Sequence, residues 1–151
     1  MLLIPKAGLI SFSEATRFTP QKFAESQEWC AANHRPQPRH QLYPRTKGFV
    51  TTVQHLRKAS HVGAVYVLTI AYQRGDRWHE APDMWETLSV PALSRPGGYR
   101  FHIHARRFPI HDLPEDDVGL ANWLEQKWVE KGEWLEQTRI DWCQGGGKLL
   151  G

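Results

Sequence analysis

The residue types most suited to chemistry cluster in residues 13–17, Ser-Glu-Ala-Thr-Arg. Glu14, Thr16 and Arg17 put a carboxylate, a hydroxyl and a guanidinium on one short turn. The turn follows a short apolar run, and Thr19-Pro20 behind it is a helix start, with Thr as N-cap and Pro at the first helical position. The end of a strand leading into a helix is where open α/β sheets bind ligands. An arginine beside a helix N-terminus suits a phosphate, because its planar fork donates to two oxygens and the helix end adds N–H donors. A second polar turn, Pro44-Arg45-Thr46-Lys47, offers two more cations. Spacing alone leaves open a plain surface pair between Glu14 and Arg17 and a solvated basic edge around Arg45 and Lys47.

The elements that must position these turns follow from periodicity. The apolar run over 7–12 reads as a buried strand. Residues 21–33 read as a helix that ends before Arg35-Pro36, because Pro disfavours helical geometry in the residue preceding it. Residues 35–40 form a proline-broken basic loop, and 41–43 read as a short strand stopped by Pro44. Phe49, Val50, Val53 and Leu56 recur at helical spacing to about Ala59, with Thr46 as candidate cap. Residues 62–72 are almost continuously apolar and β-branched, as in a central strand covered on both faces. Strand, turn, helix repeated in this order argues for parallel βαβ units. Both polar turns would then lie at the carboxyl edge of the sheet.

Further along, 74–96 reads as a loop with a helical turn near 84–88. Tyr99, Phe101, Ile103 and Ala105 alternate with Arg100, His102, His104 and Arg106, which is the pattern of a half-exposed strand with the polar set toward solvent. His102 and His104 lack a third metal ligand. Residues 115–137 form the longest helix, with Leu120, Leu124, Trp128 and Leu135 in one stripe and Glu130 and Lys131 on the polar side. Residues 139–151 read as a frayed tail, whose Gly-Gly-Gly-Lys lacks the strand and helix of a phosphate loop. His111 and Asp116 fit an H-x-x-x-x-D pattern, but the acidic run after Pro114 is the first turn of a helix.

The chain has 151 residues, 40% hydrophobic and 23% charged, with net charge +3 and seven Trp. That is enough for one domain with a real core. The mild positive charge admits an anionic ligand or an anionic membrane surface and demands neither. Cys30 and Cys143 lie far apart in a pattern that favours a reduced, intracellular compartment and no zinc site. The longest apolar run, about ten residues, falls short of the ~20 a membrane-spanning helix needs. The basic segment 35–47 has a single aromatic, Tyr43, so a nucleic-acid module is not expected.

Phe12-Ser13-Glu14-Ala15-Thr16-Arg17 resembles the third motif, FPEGTR, of the glycerolipid acyltransferases. Leu42-Tyr43-Pro44-Arg45-Thr46-Lys47-Gly48-Phe49 resembles their fourth motif in the LPRTKGF form of the lysophosphatidic acid acyltransferase branch. Ala64-Val65-Tyr66 with Thr69-Ile70 resembles the strand that follows. Residues 106–110 and 113–117, with the Trp-rich helix, resemble its C-terminal extension. Ser13 stands for the family Pro, and Ala15 puts a Cβ where the family Gly permits positive φ.

The resemblance implies an α/β fold: a parallel βαβαβ sheet fragment of the acyltransferase fold, with a C-terminal strand plus long helix as extension. It divides the chain into 1–72 with the third and fourth motifs, 73–138 as the extension, and 139–151 as tail. It implies acyl transfer from acyl-CoA, a co-substrate rather than a cofactor, to lysophosphatidic acid or a related lysophospholipid, without metal. Glu14, Thr16 and Arg17 map onto acceptor-phosphate binding, and Pro44, Arg45 and Lys47 onto acyl-CoA or acceptor binding. The family's catalytic HX4D motif belongs before residue 12. The expectation is therefore a C-terminal part with no catalytic residue of its own, inactive alone. Its full-length relatives would sit in the endoplasmic reticulum membrane. The alternative is a non-catalytic lipid- or phosphate-binding fragment.

Overall fold

The computed structural model describes residues 8–82, 84–89 and 98–144. The Gly-Gly-Gly-Lys of the predicted tail lies outside them. Helix α1 (Pro20–Ala32) begins as its sequence dictates: Thr19 Oγ1 accepts from Lys22 N at 3.2 Å, and Pro20 opens the first turn. Helix α2 (Thr46–Leu56) is capped by Arg45 without a side-chain bond, so Thr46 is its first residue rather than its cap. Among the described residues three strands follow: β1 (Ala64–Arg74), β2 (Arg77–Trp78) and β3 (Tyr99–Pro109), with the short helix α3 (Met84–Ser89) before β3. Helix α4 (Asp117–Gln144) closes the described chain and runs seven residues beyond its expected end. Asp116 Oδ1 caps it by accepting from Gly119 N at 2.8 Å, which gives the acidic run around the H-x-x-x-x-D pattern a structural role.

The α/β class holds, but the sheet is not parallel. Its order is β2-β1-β3 and both pairings are antiparallel, with Ala64 opposite Pro109 and Arg74 opposite Tyr99. The two segments expected to supply parallel strands are not strands. Residues 8–12 have no ladder partner among the described residues and expose Leu9, Ile10 and Phe12. Residues 41–43 are buried or half-buried, but their backbone donors are met by side chains: Leu42 N by Glu14, Tyr43 N by Ser26 Oγ at 3.0 Å. A backbone whose N–H groups are satisfied locally has no need of a ladder.

The sheet faces are also assigned differently from the sequence expectation. On β1, Val67, Thr69 and Ala71 are buried toward α4, while Tyr66, Leu68 and Ile70 are exposed. β1 is thus central but covered on one face. On β3 the polar set faces the helix: His102 and His104 lie 5.1 and 5.0 Å from the Trp134 ring, Arg106 pairs with Glu130 at 2.6 Å, and Arg100 lies over Trp142. Phe101 and Ile103 are on the open face. α4 presents indole rings and a carboxylate, and these match cations and imidazoles better than they would match aliphatics.

The core has two parts. One gathers Val50, Val53, Ile110, Leu113 and Leu120, which locks α2 to the start of α4. The other gathers Ala71, Leu135 and Trp142, which locks β1 to its end. Among the described residues no helix is long and apolar enough to cross a membrane.

Candidate functional site

The two polar turns are neighbours. Arg45 N donates to Ser13 O at 2.7 Å, and Leu42 N donates to Glu14 Oε2 at 3.4 Å. One backbone bond and one side-chain bond therefore join residues 13–14 to residues 42–45. The first turn closes on itself through Ala15 N and Phe12 O at 2.9 Å. Ala15 sits at φ 55°, the left-handed conformation that the missing glycine would adopt without cost.

The six expected site residues divide by environment. Arg17, Arg45 and Lys47 are exposed, and among the described residues none of their side chains has an ion-pair or hydrogen-bond partner. Thr16 is exposed as well, with its hydroxyl accepting from Lys22 Nζ. Glu14 points the other way. Its carboxyl is largely buried, and burial pushes its pKa up, opposed by the Leu42 N–H, the Lys131 ammonium and the Trp128 indole. Pro44 is fully buried. Glu14 and Pro44 thus hold the turns together, while Arg17, Arg45 and Lys47 face outward.

The electrostatics favour an anion on this outer side. Arg17, Arg45 and Lys47 are exposed cations without partners among the described residues, and the first turn of α2, which includes Lys47, has no side-chain cap. A helix N-terminus carries about half a positive charge and open donors.

Helix α4 supplies what the sequence analysis missed. Its buried Glu125 receives the Tyr43 hydroxyl and, at 3.4 Å, the Arg35 guanidinium. Gln41 Nε2 donates to Trp128 O at 2.7 Å, and His40 meets Glu136 at 2.7 Å. The proline-broken basic loop is therefore laid along α4 through Arg35, His40 and the adjoining Gln41. Lys131 is not on an open polar face: its ammonium lies 3.8 Å from the centre of the Trp128 ring. Burial lowers its pKa to about 8, against the opposing pull of Glu14. The signal was present in the sequence. Glu125 and Gly132 fall on the same stripe as Leu124, Trp128 and Leu135, and a carboxylate on a buried stripe needs a partner.

The sequence motifs resemble those of the acyltransferases, and residues 92–137 match the family model described as acyltransferase C-terminus. The branch is that of the 1-acyl-sn-glycerol-3-phosphate acyltransferases, and this chain resembles their C-terminal part. It is 34% identical to acyltransferase 2 of that name from Arabidopsis thaliana over 130 residues, 85% of this chain and 30% of the relative. It is 35% identical to the human delta form over 126 residues, 82% of this chain and 30% of the relative. The mouse gamma form is 35% identical over 120 residues, 80% of this chain and 29% of the relative. The chain spans about 30% of the length of these relatives. No solved structure matches it.

Proposed function

We propose that this chain supplies the acceptor-phosphate side of acyl transfer to lysophosphatidic acid or a related lysophospholipid, with acyl-CoA as donor. Arg17 holds the acceptor's phosphate through its two-pronged fork, and Thr16 lies beside it. Arg45, Lys47 and the open N–H groups of α2 take the remaining charge, from the acceptor or from the phosphates of the donor. Residues 1–72 carry this binding function and 73–138 form the extension that braces it. The observation that carries the reading is the bond from Arg45 N to Ser13 O, which joins two basic turns distant in sequence. The names of the relatives support the lipid phosphate over other anions.

The role is binding rather than proton transfer. Glu14 is turned inward, and loss of a positioned general base typically costs ~10²–10⁴-fold. The purified chain is therefore expected to bind vesicles containing lysophosphatidic acid and to give no measurable acyl transfer. Arg17→Ala should lower the affinity for such vesicles about tenfold, in line with removal of a charged hydrogen-bonding partner. Equal binding to lysophosphatidylcholine vesicles, or an unchanged affinity for Arg17→Ala, would sink the reading. Turnover by the chain alone would refute the binding-only role.

A further inference from the structure

The carboxylate of Glu125 is buried and far in sequence from both polar turns, yet it touches the segment that carries one of them. On α4 it faces a loop rather than solvent. One of its oxygens accepts from the Tyr43 hydroxyl, and the other lies 3.4 Å from Arg35 Nη1. Tyr43 is fixed on its other sides too: its ring packs 4.8 Å from Trp29, and its backbone N–H donates to Ser26 Oγ. The next residues are buried Pro44, then Arg45, whose N–H donates to Ser13, then the first turn of α2. Tyr43 is thus separated from the first residue of α2 by only Pro44 and Arg45, and both of these are held in place. Burying a carboxylate is costly unless it is well bonded, and an apolar residue would fill the same volume more cheaply. Stability alone does not explain Glu125.

We infer that Glu125 is a positioning residue: from the C-terminal helix it fixes, through Tyr43, the place where the 45–48 turn meets an anion. The inference rests on the binding reading above, and it names how the extension acts on that site. The Tyr43 hydroxyl gives the direction of this hold and Arg35 balances the charge.

The test uses the full chain with Glu125→Gln, Tyr43→Phe, the double variant and Arg17→Ala. The first readout needs no ligand: the backbone amide resonances of residues 45–48. The second is the affinity for phosphatidylcholine vesicles carrying lysophosphatidic acid, expressed per folded molecule. The expected result is that Glu125→Gln and Tyr43→Phe each move those amide resonances and each weaken binding, by up to about tenfold. The double variant should be no weaker than the worse single, since both cut one connection. Unmoved amides with unchanged affinity in a folded Glu125→Gln would overturn the inference, and so would fully additive losses. If Glu125→Gln does not fold, Tyr43→Phe, which loses one hydroxyl and keeps its ring, decides by the same two readouts. An Arg17→Ala chain that binds as before would defeat the acceptor reading, while the amide resonances would still judge Glu125 independently.

Discussion

At the scale of single residues, Ala15 shows how a turn can keep its shape after losing the residue that made it easy. A left-handed conformation costs a non-glycine residue about 1–2 kcal/mol, and Ala15 holds φ 55°. The hold comes from outside the residue: the bond from Arg45 N to Ser13 O and that from Leu42 N to Glu14 flank it. Ala15→Gly should therefore raise stability by about 0.5–1 kcal/mol, after allowing for the extra freedom glycine brings to the unfolded chain. Urea unfolding measures this, and a destabilised Gly variant would mean the turn is not in that conformation. Lys131 gives the second prediction. Its folded pKa of about 8 lies below the ordinary 10.5, with burial as the largest cause and Glu14 and Arg106 as the charges that face it. A depressed lysine binds more protons unfolded than folded, so its share of stability grows as pH rises through the folded value and is lost as pH falls. Between pH 7 and 9 the share amounts to about 1 kcal/mol. Lys131→Met should remove this rise, so the difference in stability between the two proteins should change over that interval. Parallel curves would show that Lys131 is not buried as described.

At the scale of elements, α4 is the frame and the turns are what it frames. Its 28 residues extend about 42 Å, and along that length it meets the sheet, α2 and the 35–43 loop. Gly132 marks the closest approach: a Cβ there would lie 2.7 Å from Arg39 N and 2.9 Å from Arg39 O. Both are backbone atoms, so the loop must move as a unit to make room. Gly132→Ala should gain about 1 kcal/mol in helix propensity and lose about 1–3 kcal/mol to overpacking. A net loss of up to about 2 kcal/mol is the expected outcome of chemical denaturation, and a net gain would show that the loop is free to move aside. The helices were legible because their signals are local. Thr19-Pro20 starts α1, and the Leu120, Leu124, Trp128 and Leu135 stripe lies within one segment. The third and fourth motifs were legible in the same way, residue by residue. The work of α4 on those motifs was not, because Glu125 and Tyr43 are 82 positions apart and no period within either segment links them.

At the scale of the whole molecule, the reversed faces of β3 set the remaining problem. The period of two in 99–107 was correct, and so was its division into an apolar and a polar set. A period does not say which set is covered; that depends on what the neighbouring element presents. Here Trp134, Trp142 and Glu130 took the His and Arg side, and the apolar side was left open. Tyr66, Leu68 and Ile70 of β1, with Phe101 and Ile103 of β3, are each 42–61% exposed. Ile70 stands directly opposite Ile103. Contiguous apolar surface of this kind binds dyes and draws chains together. Replacing both partners, Ile70→Thr with Ile103→Thr, keeps β-branched residues at the register pair and so preserves strand preference. The expected result is lower binding of a hydrophobic fluorescent dye and less association at high concentration, with stability within about 0.5 kcal/mol per substitution as for exposed sites. A drop of several kcal/mol would mean instead that this face packs against part of the chain, and the open face would have to be redrawn as core.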